Sequence, residues 1–118
     1  MTVQACYEIM GGDYEDTFRR LRSDKSIVKF CKKFLTSTDY EKMLKLIEEE
    51  DYNAAFLASH SLKGMCLSLG LTTLFKANNI LCEALRDGNP TFDLSDIISD
   101  VKKAYNLVVS TIEKMEEC

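Results

Sequence analysis

Apolar positions along the chain recur at three- and four-residue intervals, and no stretch alternates apolar with polar residues long enough to read as a strand. The pattern predicts helices throughout. A short helix is expected over about 2–10, ended by Gly11-Gly12, and Asp13 is placed to cap a second one to about Arg22. Asp24 is expected to cap a third, with the apolar face Ile27, Phe30, Cys31 and Phe34. Thr38-Asp39-Tyr40-Glu41 has the form of a capping box. Either a new helix or a kink is expected there, continuing through Met43, Leu44 and Ile47 to Glu49. Asp51 opens the next helix, which Gly70 stops. Thr72 is expected to cap a further helix to Asp87, with Gly88 at its C-terminal end. Asp93 or Ser95 is expected to cap the last, through Ile97, Val101, Tyr105, Val108 and Ile112. Such helices, joined by short loops, predict an all-α, antiparallel up-and-down four-helix bundle with short additional N-terminal helices. The expected division is a single domain over 1–118, with the short helices in 1–23 and the bundle in 24–117.

Composition narrows the class. A chain of 118 residues, 46% hydrophobic and 29% charged, is long enough and apolar enough to build one core. Its net charge of −4 disfavours general nucleic-acid binding, which needs a basic face. The longest uncharged run, Gly64 to Phe75, is too short to span a bilayer, and MTVQACYEIM has no signal-peptide pattern. The expectation is a cytoplasmic monomer with no membrane partner. Five cysteines at 6, 31, 66, 82 and 118 form no CxxC pair, and one histidine cannot complete a zinc site with thiols so scattered. They read as free, partly buried thiols in a reducing compartment. No Walker-type loop or kinase nucleotide motif is present, so self-phosphorylation from ATP is not expected.

Chemistry concentrates on the helix after Asp51. At about 100° per residue, Phe56, Lys63, Gly64 and Leu67 fall within about 60° of His60. Ala58, Leu62, Met65 and Leu69 gather on the opposite side, flanked by Ala55 and Cys66, as the stripe a bundle buries. The only histidine therefore points to solvent, with a lysine at i+3 and a glycine at i+4. A neutral imidazole is a nucleophile near pH 7. Phosphoryl transfer needs in-line approach and cations to balance the moving charge. Lys63 supplies a cation, and Gly64 removes a side chain beside the ring. Mid-helix glycine costs about 1 kcal/mol relative to alanine, so its placement asks for a reason. Each feature also has an ordinary reading: a solvated histidine, a surface lysine, a glycine that permits close packing. The geometry alone names no reaction.

The string Ala58-Ser59-His60-Ser61-Leu62-Lys63-Gly64, with Leu69-Gly70 after it, resembles the H-x-L-K-G and L-G signature of histidine-phosphotransfer (HPt) domains. The resemblance runs from about Asp24 to Ile112 and includes the acidic turn Glu49-Glu50-Asp51-Tyr52. It implies a four-helix bundle that accepts a phosphoryl group from a receiver-domain aspartate and passes it to another receiver. His60 then matches the phospho-accepting residue, Lys63 the phosphate-steadying residue and Gly64 the clearance position, with Phe56 and Leu67 in the docking surface. The implied partners are response-regulator receiver domains or a hybrid histidine kinase. No cofactor is expected on this chain, the Mg2+ being the receiver's. Ile9, Met10 and Phe18 lie near the N-terminus, where the resemblance implies a short helix that flanks the histidine and adds apolar docking surface.

One position departs from that pattern. Family members often carry glutamine or glutamate on the next helix, hydrogen-bonded to the imidazole. The matching residue here is Cys82, a poor substitute. Asn79, beside Asn78, is a replacement candidate, although both asparagines also read as solvated. Arg86 either strengthens the positive potential or is an ordinary surface arginine. Two other readings stand beside the stand-alone phosphorelay protein: a helical adaptor with a silent histidine, and a phosphotransfer domain of a larger kinase. The start at Met1 and the charged final helix without a linker favour the stand-alone form.

Overall fold

The computed structural model describes residues 1–116. Among them are seven helices: α1 (Val3–Met10), α2 (Tyr14–Leu21), α3 (Asp24–Phe34), α4 (Asp39–Glu48), α5 (Tyr52–Leu69), α6 (Thr72–Leu85) and α7 (Ser95–Glu113). The all-α bundle is as expected. A two-residue turn brings α6 back along α5, and a nine-residue connection brings α7 back along α6, so each packs against its successor. The fourth edge is filled by α3 and α4 in tandem. α4 lies beside Ala54, Leu57 and Ala58 of α5, whereas Phe30 and Phe34 of α3 lie beside Met65 and Leu69. The tandem pair thus runs opposite to α5, broken over 35–38, and is two helices rather than one kinked helix. Tyr40 and Phe34 both close on Tyr105 of α7. The Tyr40 ring is stacked on it with centroids 3.6 Å apart, and the Phe34 centroid lies at 6.0 Å.

Caps differ from expectation where tertiary contacts supply the partner. Asp13 and Asp51 cap as predicted, accepting from Asp16 N and Ala54 N. Ser23, not Asp24, caps α3. Thr38 makes no side-chain cap, so the capping box does not form; Ser37 Oγ accepts from Asp39 N instead. Thr72 is the first residue of α6 rather than its cap. There the Thr73 N–H is satisfied by the Gly11 carbonyl at 3.2 Å, so the α1–α2 loop does the work of a capping side chain. α6 ends at Leu85, two residues short of Asp87. Before α7, Asp93 accepts from both Ser95 N and Ser95 Oγ, and Leu94 occupies the cap position.

The N-terminal helices belong to the core. Val3, Cys6, Tyr7 and Met10 are fully buried in the same cluster as Leu62, Leu81 and Ile112. The last carbonyls of a helix have no intrahelical partner. Here the Leu69 carbonyl accepts from the Tyr7 hydroxyl at 2.6 Å and from Thr17 Oγ1 at 3.1 Å. The Gly70 carbonyl accepts from Asp13 N at 2.8 Å. Thus α1 and α2 sit at the far end of α5 rather than beside His60, which lies nine residues before Leu69. Ile9 and Phe18 are exposed, but Met10 is buried and unavailable for docking. Cys6, Cys31, Cys66 and Cys82 are free and wholly buried, more so than expected. Burial pushes the Cys66 thiol up to about 12, which keeps it protonated. Cys118 lies outside the described residues. No described helix is long and apolar enough to cross a membrane.

Gly70 is the tightest point of this corner. Its φ of +65° is left-handed, and a Cβ there would fall on Thr17 Oγ1 and within 2.9 Å of the Asp13 carbonyl. Gly70→Ala is therefore expected to lose at least about 2 kcal/mol of unfolding free energy in urea titration. Wild-type stability in that variant would contradict the account of the corner.

Candidate functional site

α5 carries the site. Its inward face is Ala55, Ala58, Ser59, Leu62, Cys66 and Leu69. Two details differ from the predicted stripe: Met65 is only half-buried, and Ser59, absent from that stripe, is fully buried. The outward strip holds His60, Gly64 and Leu67, all exposed, with Phe56 and Lys63 half-buried beside them. The imidazole has no hydrogen-bond partner among the described residues. Its neighbour is the Phe56 ring one turn earlier, inclined 23° with centroids 6.0 Å apart.

α6 approaches this strip through a charged pair. Arg86 Nε and Nη2 donate to the two Glu83 oxygens at 2.9 and 2.6 Å, a forked geometry. Its guanidinium carbon lies 5.3 Å from the Phe56 centroid, within cation–π range. The Arg86 hydrogen bonds hold the Glu83 carboxyl below its usual range, with a smaller lowering from the charge of Lys63. Arg86 is thus not a spare cation; Glu83 offsets its charge. Lys63 forms no ion pair among the described residues. Asn79 is half-buried and makes no hydrogen bond to His60, while Cys82 is wholly buried. Neither reproduces the side-chain contact to the imidazole that the resemblance implies. Leu67, 53% exposed, borders a hollow shared with Asp13, Asp16, Phe75 and Lys76.

The two signature glycines have different physical reasons. Gly70 is demanded by its corner. Gly64 is not: a Cβ there would meet nothing within 4 Å, and its φ is ordinary. Neither packing nor backbone requires glycine at this helical position. It instead leaves an open floor beside His60. Past it lies a cleft of about 630 Å³ lined chiefly by Phe30, Phe34, Met65 and Leu69, with Lys33 at its edge. Phe30, expected on the buried face of α3, is 39% exposed there because α3 ends against this cleft.

The serines on either side of His60 were not singled out from the sequence. Ser59 is bound by Asn78 of α6, whose Nδ2 donates to the Ser59 carbonyl at 2.9 Å and whose Oδ1 accepts from Ser59 Oγ at 3.4 Å. Ser61 Oγ donates to Asp39 of α4 at 2.7 Å. The available signal was Asn78 itself, which falls in the stripe Leu74, Leu81 and Leu85 at helical spacing and was therefore bound to be buried.

The strip thus presents an exposed, unpartnered imidazole, a lysine one turn on and an open position beside the ring. The family model described as the Hpt domain matches residues 35–105, well over half of the chain and including the whole of α5. The chain belongs to the Hpt domain family. Hpt domains are phosphocarrier modules of two-component signalling rather than kinases. No curated protein and no solved structure matches the chain.

Since no neighbour rewards the absence of a side chain at 64, Gly64→Ala is expected to raise unfolding free energy by about 0.5–1 kcal/mol. Urea denaturation followed by circular dichroism measures it. A loss of stability would mean that glycine serves packing after all.

Proposed function

We propose that this protein is a phosphorelay carrier in which His60 accepts a phosphoryl group from a receiver-domain aspartate and passes it to another receiver. The observation that carries this reading is the open face at His60. The one histidine is exposed and unpartnered, Lys63 stands at i+3, and position 64 is empty for no internal reason. In the forward step a ring nitrogen lone pair attacks phosphorus in line with the acyl-phosphate bond. The P–N bond forms as the P–O bond breaks, and the aspartate leaves as carboxylate with the bonding electron pair. The other ring nitrogen keeps its proton, and its positive charge is offset by the phosphoryl oxygens. The return step to a second aspartate is the reverse.

Each group of the strip has one task in this scheme. Gly64 admits the receiver's bulk to the ring. Lys63 steadies the phosphoryl oxygens, since a residue one turn on reaches the same side of the helix. Phe56, held under Arg86, keeps the imidazole in place, and Leu67 extends the apolar contact to the receiver. The Mg2+ that balances charge in the transfer complex is the receiver's own. This chain contributes position and one cation.

Mixing the protein with labelled, phosphorylated receivers tests the reading. Acid-labile label is expected on the wild type and none on His60→Gln; label on that variant would place the acceptor elsewhere. Gly64→Gln should keep its helical content and transfer slowly. A charge-assisted hydrogen bond is worth about 1.5–3 kcal/mol, less where water competes. Lys63→Ala should therefore slow transfer or shorten the phosphohistidine lifetime by about tenfold, with Lys63→Arg recovering part and stability barely moving. Wild-type transfer and hydrolysis rates in Lys63→Ala would reduce the lysine to a solubilising residue.

A further inference from the structure

The direction in which His60 points depends on how α5 is turned, and apolar burial specifies that weakly. Large apolar side chains lie on both sides of this helix: Leu62 and Leu69 inward, Phe56, Leu57 and Leu67 outward. Much of the inward face is small, comprising Ala55, Ala58, Ser59 and Cys66. With large apolar side chains on both sides and small ones inward, burial alone gives α5 only a weak preference for one rotation. A one-residue slip turns it by about 100° and would carry His60 off the outward strip.

The polar contacts do discriminate. Asn78 and Ser59 are both fully buried and satisfy each other across the α5–α6 interface. A rotation that takes Ser59 out of this interface would leave the buried Asn78 amide without these two partners, which is costly in a dry core. The gripped atom is the carbonyl of the peptide unit joining Ser59 to His60. In an α-helix that carbonyl also receives the N–H four residues on, here that of Lys63. Asn78 thus holds the turn bearing both the acceptor and the cation. On the opposite flank the Ser61–Asp39 hydrogen bond ties the same turn to α4.

We infer that Asn78 is a positioning residue for phosphoryl transfer: by gripping the Ser59–His60 peptide from α6 it sets the rotation of α5 and hence the aim of the imidazole. The inference rests on the phosphorelay reading for its functional consequence, but not for its geometric one. Asn78 does not touch the phosphoryl group. Its contribution is alignment, and small misplacement of reacting groups costs rate steeply.

The test replaces Asn78 with leucine, of similar size, and uses protein carrying 15N-labelled histidine, in which His60 is the sole signal. Leucine puts no amide in the core, but it takes the acceptor from the buried Ser59 hydroxyl. Asn78→Leu is therefore expected to fold and to melt below the wild-type temperature. Its His60 ring resonances should shift or broaden, and its maximal transfer rate should fall by about tenfold or more, with the half-saturating receiver concentration within about twofold. Ser59→Ala, which removes only the longer arm and keeps the grip on the carbonyl, should retain wild-type ring resonances and transfer rate while melting lower, since Asn78 Oδ1 loses its donor. If Asn78→Leu fails to fold, Asn78→Ala is measured at a temperature where its circular dichroism matches wild type. Unchanged ring resonances with wild-type transfer overturn the inference, as does a rate loss accounted for by the unfolded fraction. A wild type that takes no label from receivers defeats the phosphorelay reading; the ring resonances still decide whether Asn78 aims the imidazole.

Discussion

Burial of Ala55, Ala58, Ser59, Leu62, Cys66 and Leu69 leaves α5 a single strip of its circumference in solvent, and every group of the site lies on or against that strip. Both ends of the helix are tied. Asp51 caps the start through Ala54 N, and Gly70 ends it in a left-handed turn whose carbonyl is held by Asp13. With its ends fixed, the remaining freedom of α5 is rotation. The serines beside His60 are hydrogen-bonded to α6 on one side and α4 on the other, which removes that freedom where the chemistry is placed.

The strip combines exposure with order. His60 is unpartnered, yet it is flanked by Phe56, which lies under a guanidinium that Glu83 holds in a fork. Such an arrangement keeps the imidazole accessible without leaving it adrift. It also separates the two cations: Arg86 is committed to Glu83, and Lys63 forms no ion pair among the described residues. The open floor at Gly64 and the helix-ending turn at Gly70 show the same residue type answering two demands. One is access from outside; the other is backbone geometry within.

Much of this was legible in the chain. The 3.6-residue pattern gave the helices, and the spacing of His60, Lys63 and Gly64 put them on one outward face. Where the reading went astray, the deciding partner was distant in sequence. Thr72 does not cap α6 because the Gly11 carbonyl, 62 residues away from Thr73, already does so. At Thr38 the capping box does not form; the contacts at this helix start are instead Ser37 Oγ to the Asp39 N–H and the Asp39 carboxylate to Ser61 of α5. Asn78 and Asn79 look alike in sequence but stand about 100° apart on α6, so one enters the core and the other does not. Both readings of Arg86, as added positive potential and as an ordinary surface arginine, leave out its fork with Glu83 at i−3 and its approach to Phe56, thirty residues earlier; the first spacing is visible in the chain and the second is not.

The central claim is that the imidazole of His60 is the phosphoryl acceptor, and one spectrum addresses it without a substitution. The protein, carrying 15N-labelled histidine, is incubated with a phosphorylated receiver and examined for phosphorus–nitrogen coupling. Because there is one histidine, a coupling can belong only to His60. The account predicts coupling to one ring nitrogen that disappears on mild acid treatment. Phosphoryl uptake with an uncoupled, unmodified imidazole would contradict it.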